Sequence, residues 1–212
     1  MRFLALILTG ASSIGLLASE IKTWPLPEGA TRFSVYRVSA NGTPLEVLEV
    51  PVPEGRVEAC ERYAYGYAAF EAEGAVEIDV EIAAEDLLMA EPKVVPASRG
   101  IEVEKLSPTK TRFVLDRPGT VCFEAAGRHR SLVIAYDPPE KDVPSPDDKN
   151  VVYFGPGLHR RELTELKAGQ TLYLAGGAML EGALVSDGRR IYLVGARGLS
   201  ELLVLLHADV LF

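Results

Sequence analysis

The chain has 212 residues, of which 48% are hydrophobic and 25% are charged, and its formal net charge is -8. This length fits one large or two modest domains, and the balance is that of a folded protein rather than a disordered one. Because no basic stripe offsets the acidic excess, nucleic acid is excluded as a partner.

The amino terminus has a charged start and a short apolar run, Phe3 to Leu8, which polar residues interrupt before Ile14. This pattern indicates an imperfect signal peptide over residues 1–18, and it predicts a secreted or periplasmic protein. The alternative is a buried first strand in a cytoplasmic protein. The apolar stretch is too short to cross a bilayer, so no membrane span is predicted.

Residues 19–136 are predicted to form an all-β domain. Val76 to Ile82 alternates strictly between aliphatic and acidic side chains, which is typical of a strand with one buried and one solvated face. Asn41-Gly42 and Arg99-Gly100 have the composition of turns. Short strands at this spacing indicate an antiparallel β-sandwich or a barrel. The other predicted strands lie in the segments Phe33–Val38, Ile101–Glu104, Thr111–Leu115, Thr120–Glu124 and Ser131–Tyr136.

Three tyrosines in this domain are candidates for carbohydrate binding. Tyr63, Tyr65 and Tyr67 alternate, so a strand would place all three on one face. Such a surface can stack on sugar rings, although packing in the core or between sheets is the commoner fate of such a trio.

The chain has two cysteines, Cys60 and Cys122, and three histidines. The cysteines either form one disulfide in an oxidising compartment or stay as small buried hydrophobic residues. The histidines are scattered and match no metal-ligand spacing, so we predict no metal and no cofactor.

A proline-rich linker follows at residues 137–150, where four prolines are incompatible with a sheet ladder. After it, the pattern aromatic-apolar-small-small recurs at Tyr153, Tyr173 and Tyr192, at offsets of 20 and 19 residues. A fixed period of this length predicts stacked parallel coils over residues 151–199. Gly155, Gly157, Gly176 and Gly177 follow the strand-like stretches, where each coil turns a corner.

Several segments resemble bacterial polygalacturonase-like glycoside hydrolases. In these proteins an amino-terminal β-sandwich precedes a right-handed parallel β-helix of the pectin-lyase-like type, an arrangement also found in dextranase-type enzymes. The resemblance extends from Arg32 to Leu199, and it is carried by Asp137-Pro-Pro-Glu140, Val152-Tyr-Phe-Gly-Pro-Gly-Leu-His159 and Leu172-Tyr-Leu-Ala-Gly-Gly-Ala178, with Pro96–Ile101, Arg112–Gly119 and His129–Ile134 in the sandwich.

The resemblance implies a polysaccharide or oligosaccharide partner and inverting hydrolysis by paired aspartates on later coils. No residue here matches that catalytic pattern, so none is assigned. Asp147-Asp148 lies in the linker, and Glu181 has no evident partner. His159 is shared with the family segment, and we expect it to orient a loop or to bond to the backbone.

Residues 200–212 depart from the family pattern as a hydrophobic tail. We therefore expect the front part of a glycoside hydrolase that is inactive alone; the alternative is a non-catalytic carbohydrate-binding or structural module. An uncovered last coil predicts self-association. We further expect the sandwich from Thr31 to Tyr136 to fold independently, so that a cut near Pro144 would cure the self-association.

Overall fold

A computed structural model describes residues 20–51, 64–83, 91–125 and 130–186. The expected signal peptide, the Tyr192 repeat and the hydrophobic tail lie outside the described residues. Within the described ranges, no helix is long and apolar enough to cross a membrane. The strands are β1 (Tyr36–Ala40), β2 (Thr43–Leu45), β3 (Leu48–Pro51), β4 (Ala64–Glu71), β5 (Val76–Ile82), β6 (Lys93–Val95), β7 (Val103–Lys105), β8 (Lys110–Leu115), β9 (Gly119–Glu124), β10 (Leu132–Asp137), β11 (Val151–Phe154), β12 (Gly157–Leu166), β13 (Thr171–Leu174) and β14 (Ala178–Ser186).

The first ten strands form the predicted sandwich of two five-stranded sheets. The first sheet has the order β2-β1-β5-β8-β7, and the second has the order β3-β4-β10-β9-β6. All neighbouring pairs are antiparallel except β4 and β10, which are parallel. Parallel neighbours require a crossover, and here the chain between them passes through the first sheet and returns.

The core of the sandwich lies between the two sheets. The aliphatic side chains of β5 lie inside, with Val76, Ile78 and Val80 at 0% exposure, as the alternation predicts. Phe70 and Tyr136 stack with ring centroids 5.0 Å apart. The Tyr136 hydroxyl donates to the carbonyl oxygen of Gly74 at 2.5 Å, so this buried polar group is satisfied.

The outer face of the second sheet is also buried. Leu48 and Val50 of β3, Tyr67 and Ala69 of β4 and Ala135 of β10 form a second apolar cluster with Met179 of β14. The strand β4 is therefore covered on both sides. This second cluster joins the sandwich to the coils.

The parallel coils begin at β11, as predicted. Strand β11 pairs with β13 and β12 pairs with β14, both in parallel, so the described residues contain two stacked coils. Their interior holds a third apolar cluster that includes Phe154, Leu172 and Leu174. The two coils differ by a bulge in β12 between Arg160 and Leu163. Opposite it, Gly182 has φ 146°, and a Cβ there would overlap the carbonyl oxygen of Arg161.

Candidate functional site

The repeat motif places two tyrosines in register on neighbouring coils. Tyr153 pairs with Tyr173, and their rings stack with centroids 5.1 Å apart. The Tyr173 hydroxyl donates to Oε2 of Glu140 in the linker at 2.7 Å. Burial and the Glu140 carboxylate together raise the pKa of Tyr173 well above its ordinary value, so it stays a hydrogen-bond donor. The hydrogen bond between Tyr173 and Glu140 therefore anchors the linker to the coils.

His159 has a structural position at the start of β12. Its Nε2 lies 2.7 Å from the carbonyl oxygen of Gly155, so Nε2 carries the proton and donates it. The ring also packs on Phe154, with centroids 5.1 Å apart. These contacts close the loop between β11 and β12, and they fit the backbone-bonding role expected for His159.

The four motif glycines serve different purposes. Gly157 and Gly177 have positive φ, at 123° and 78°, and each lies where a coil enters its second strand. A Cβ added at Gly155 would meet only the ring of Tyr153, at 3.8 Å, so this position has room for a side chain. Gly176 is required for another reason, because a Cβ there would overlap the indole of Trp24.

The candidate sugar-binding tyrosines lie at the junction between sandwich and coils. Tyr65 and Tyr67 share one face of β4, as their spacing predicts. Tyr67 is 2% exposed within the second apolar cluster, so its ring packs there and is not open to solvent. Tyr65 is half-buried, and burial raises the pKa of its hydroxyl. Tyr63 lies outside the described residues, and carbohydrate binding by the trio stays a prediction.

Cys122 lies on β9, half-buried. Burial raises the pKa of its thiol above the ordinary value, although a hydrogen bond with Ser131 opposes this. Cys60 is not among the described residues, so the choice between a disulfide and two buried thiols stays open.

The outer face of the first sheet carries a network of ion pairs. The guanidinium of Arg112 binds Asp79 through two bonds of 2.7 and 3.0 Å, and it lies 3.1 Å from Glu77. Lys110 Nζ lies 2.9 Å from Asp79. The hydrogen bond from Arg112 is the main cause that lowers the pKa of Asp79, so its carboxylate is charged at neutral pH. The acidic face of β5 predicted from alternation is thus paired rather than merely solvated.

This network borders an open groove of 610 Å³. It is lined by the charged residues Arg99, Glu77 and Asp116 and by Val114, which is 47% exposed. Arg99 is held in place because it donates to the carbonyl oxygen of Arg117 at 2.7 Å. A groove lined by both charged and aliphatic side chains suits a hydroxyl-rich ligand, since sugars present both polar and apolar faces.

The carboxylates considered from the sequence do not form a catalytic pair. The Asp148 carboxylate accepts a hydrogen bond from the backbone N–H of Asn150 at 2.9 Å in the exposed linker. Glu181 is ion-paired with Arg160 at 2.9 Å on the coil surface. Among the described residues, no three His, Cys, Asp or Glu side chains come together as metal ligands would.

The sequence did not single out Trp24, which lies against the coils, or Lys22, which pairs with the sandwich. Lys22 Nζ is 2.9 Å from the carboxylate of Glu71 and 5.3 Å from the centroid of the Trp24 ring. The chain has a single tryptophan, and its position just after the predicted signal peptide was the only signal available. No periodicity marks its partners.

No protein-family model matches this chain, and no curated protein matches it. Among solved structures, the chain is similar to Dex49A from Penicillium minioluteum, with a TM-score of 0.54 and 15% sequence identity. The likeness covers 78% of this chain and 47% of Dex49A, so the chain spans about half the length of that structure. The chain is thus an all-β protein that shares the fold of Dex49A over most of its length.

Proposed function

We propose that this chain forms the amino-terminal part of a polysaccharide-degrading glycoside hydrolase, dextranase-like or polygalacturonase-like. The observation that carries the proposal is the fold likeness to Dex49A, a dextranase, over 78% of the chain. The motif segments from Tyr153 to His159 and from Leu172 to Ala178 also support it, because their sequences resemble those of polygalacturonase-like glycoside hydrolases, which combine a β-sandwich with a parallel β-helix.

We expect the chain to be inactive by itself. Inverting hydrolysis needs one carboxylic acid to protonate the leaving oxygen and one carboxylate to activate water, separated by about 6.5–9.5 Å. Within the described residues, Glu181 is ion-paired with Arg160 on the surface of the coils, and Asp147 and Asp148 lie in an exposed linker. Neither arrangement provides two carboxyl groups facing one cleft.

The test is the release of reducing ends from dextran, pectin, rhamnogalacturonan and xylan by the purified chain. We expect no release above that of a heat-treated sample. Clear turnover on any of these polymers would contradict the proposal of an inactive front part.

A non-catalytic carbohydrate-binding module is the second candidate, and the groove on the first sheet favours it. Affinity electrophoresis in gels containing the same polysaccharides tests it. If the groove binds sugar, Val114→Ser should abolish the retardation. Val185→Ser is the matched control, because Val185 is 49% exposed on β14 and lies outside the groove. Equal retardation of the wild type and both variants would exclude the groove, and no retardation at all would exclude the module.

We also propose that the protein is exported. The support is the apolar run near the amino terminus, which predicts a mature chain starting near Ser19. Cys60 and Cys122 would then be able to pair, contributing about 4 kcal/mol by the loop-entropy model. Mass spectrometry of the secreted fraction is the test: absence of the chain from that fraction would contradict export, and intact Met1 there would contradict cleavage near Ser19.

A further inference from the structure

The segment before the sandwich runs along both parts of the molecule. Lys22 forms an antiparallel bridge with Glu71 at the end of β4, with two backbone hydrogen bonds of 2.9 Å. Eleven residues later the segment returns to the same sheet beside β3, where the backbone N–H of Phe33 donates to the carbonyl oxygen of Val47 at 2.9 Å. Both ends are therefore fixed to the second sheet of the sandwich.

The middle of this segment contacts the coils. The indole of Trp24 lies against the turn Gly176-Gly177 between β13 and β14, so closely that a Cβ at Gly176 would overlap the ring. The Lys22 ammonium lies 5.3 Å from the ring centroid, where a cation–π attraction holds the indole in place. Lys22 also pairs with Glu71, which is 3% exposed. Trp24 and Lys22 together thus connect a turn of the coils to a buried carboxylate of the sandwich.

The same segment completes the apolar junction. Leu26 and Ala30 pack against the cluster that contains Met179 of the coils and Tyr67 of the sandwich. Leu158 of β12 joins this cluster too, and an added Cβ at Gly29 would lie 3.6 Å from its Cδ2.

We propose that residues 22–33 form a strap that fixes the orientation of the coils on the sandwich, with Trp24 as its anchor. A covalent linker alone, here residues 137–150, leaves two domains free to pivot unless their interface is large and apolar. The strap adds a second, non-covalent connection at the same junction, and it fixes the position of the coil stack on the sandwich.

The proposal is tested on the full chain by hydrogen exchange with mass spectrometry, using Gly176→Ala and Trp24→Ala. The first variant displaces the indole, and the second removes it without adding atoms to the turn. In both, amides of residues 171–186 should exchange about tenfold faster, because the coils open more often from the sandwich. Amides of β5 and β8 should keep their wild-type rates.

Gly155→Ala is the matched control. It adds the same methyl group in the preceding coil, where Ala175 already occupies the equivalent position of the next coil, and it should leave all rates unchanged. Unaltered exchange of residues 171–186 in both test variants would overturn the strap. Equal acceleration throughout the sandwich would also overturn it, because that result indicates general destabilisation.

Discussion

At the scale of single residues, the charged groups on the first sheet are positioned by strand register. The sequence predicted that Glu77, Asp79 and Glu81 share a solvated face, and they do. The alternation could not show which residue on the neighbouring strand faces each carboxylate. In the structure, Asp79 of β5 faces Arg112 of β8. Register between strands depends on loops and core packing, so a pattern within one strand cannot reveal it.

The Asp79 pair predicts a pH dependence of stability. The folded-state pKa of Asp79 is lowered, so its contribution is present above the unfolded value of about 3.9 and is lost as pH falls through the folded pKa. Asp79→Asn should therefore lower the melting temperature at pH 7, and the difference should shrink as the pH falls below that unfolded value. Thermal unfolding across this pH range measures it.

Glu81→Gln is the control for this prediction, because Glu81 lies on the same strand and its partner Arg37 is 3.7 Å away in an exposed pair. Such pairs contribute little. A melting temperature that falls equally in both variants, or a loss in Asp79→Asn that does not depend on pH, would contradict the role given to Asp79.

At the scale of elements, prediction succeeded for four strands in which β-branched and aromatic residues lie between turn residues. The bounds of β5 were predicted to the residue, and those of β8, β9 and β10 within one residue. Strand β4 was not predicted, because it is buried on both faces and Ala64–Glu71 therefore shows no alternation of polar residues. Its parallel pairing with β10 was not predicted either, since no local sequence pattern encodes a crossover. The coil strands were predicted by their repeat, and Tyr153 and Tyr173 lie in register as its period requires.

Backbone hydrogen bonds join the two ends of the linker to Ala72 and Thr171, whereas its side-chain hydrogen bond from Tyr173 can be removed cleanly by substitution. Tyr173→Phe deletes the donor to Glu140 and keeps the ring, which is 1% exposed. We expect a loss of about 1–3 kcal/mol, the usual range for a hydrogen bond to a charged group whose partner is left unsatisfied. Chemical denaturation measures it. Tyr153→Phe keeps the stacked pair and leaves the Glu140 bond intact, so a similar loss there would count against the linker anchor.

At the scale of the whole molecule, the structure changes one expectation drawn from the sequence. The sandwich was expected to fold independently, so that a cut near Pro144 would cure self-association. Met179 and Leu158 of the coils, together with Leu26 and Ala30 of the strap, instead pack against the outer face of the second sheet. Removing the coils uncovers part of this apolar face, and an exposed apolar patch is a common cause of association. The sequence could not show this contact, because a strand that is covered on both sides carries apolar residues on both faces, and no pattern marks the face that meets the coils.

A chain that ends at Val143 should therefore associate more than the full chain, not less. Static light scattering at matched concentrations compares the two. The matched control is the same truncation with Tyr67→Lys, which places a charge at the centre of the exposed face and should reduce the scattering. If the truncated chain without Tyr67→Lys is a monodisperse monomer, the expectation that the sandwich folds independently stands.

Sandwich and coils are joined at an apolar junction, so we expect them to unfold as one structural unit. Urea unfolding of the full chain, followed in parallel by the emission of Trp24 and by far-ultraviolet circular dichroism, measures this. Trp24 reports the junction, and the dichroism reports the sheets of the whole molecule. We expect one transition with the same midpoint for both signals, as a single cooperative unit requires. A Trp24 transition at clearly lower urea than the loss of sheet would contradict the claim.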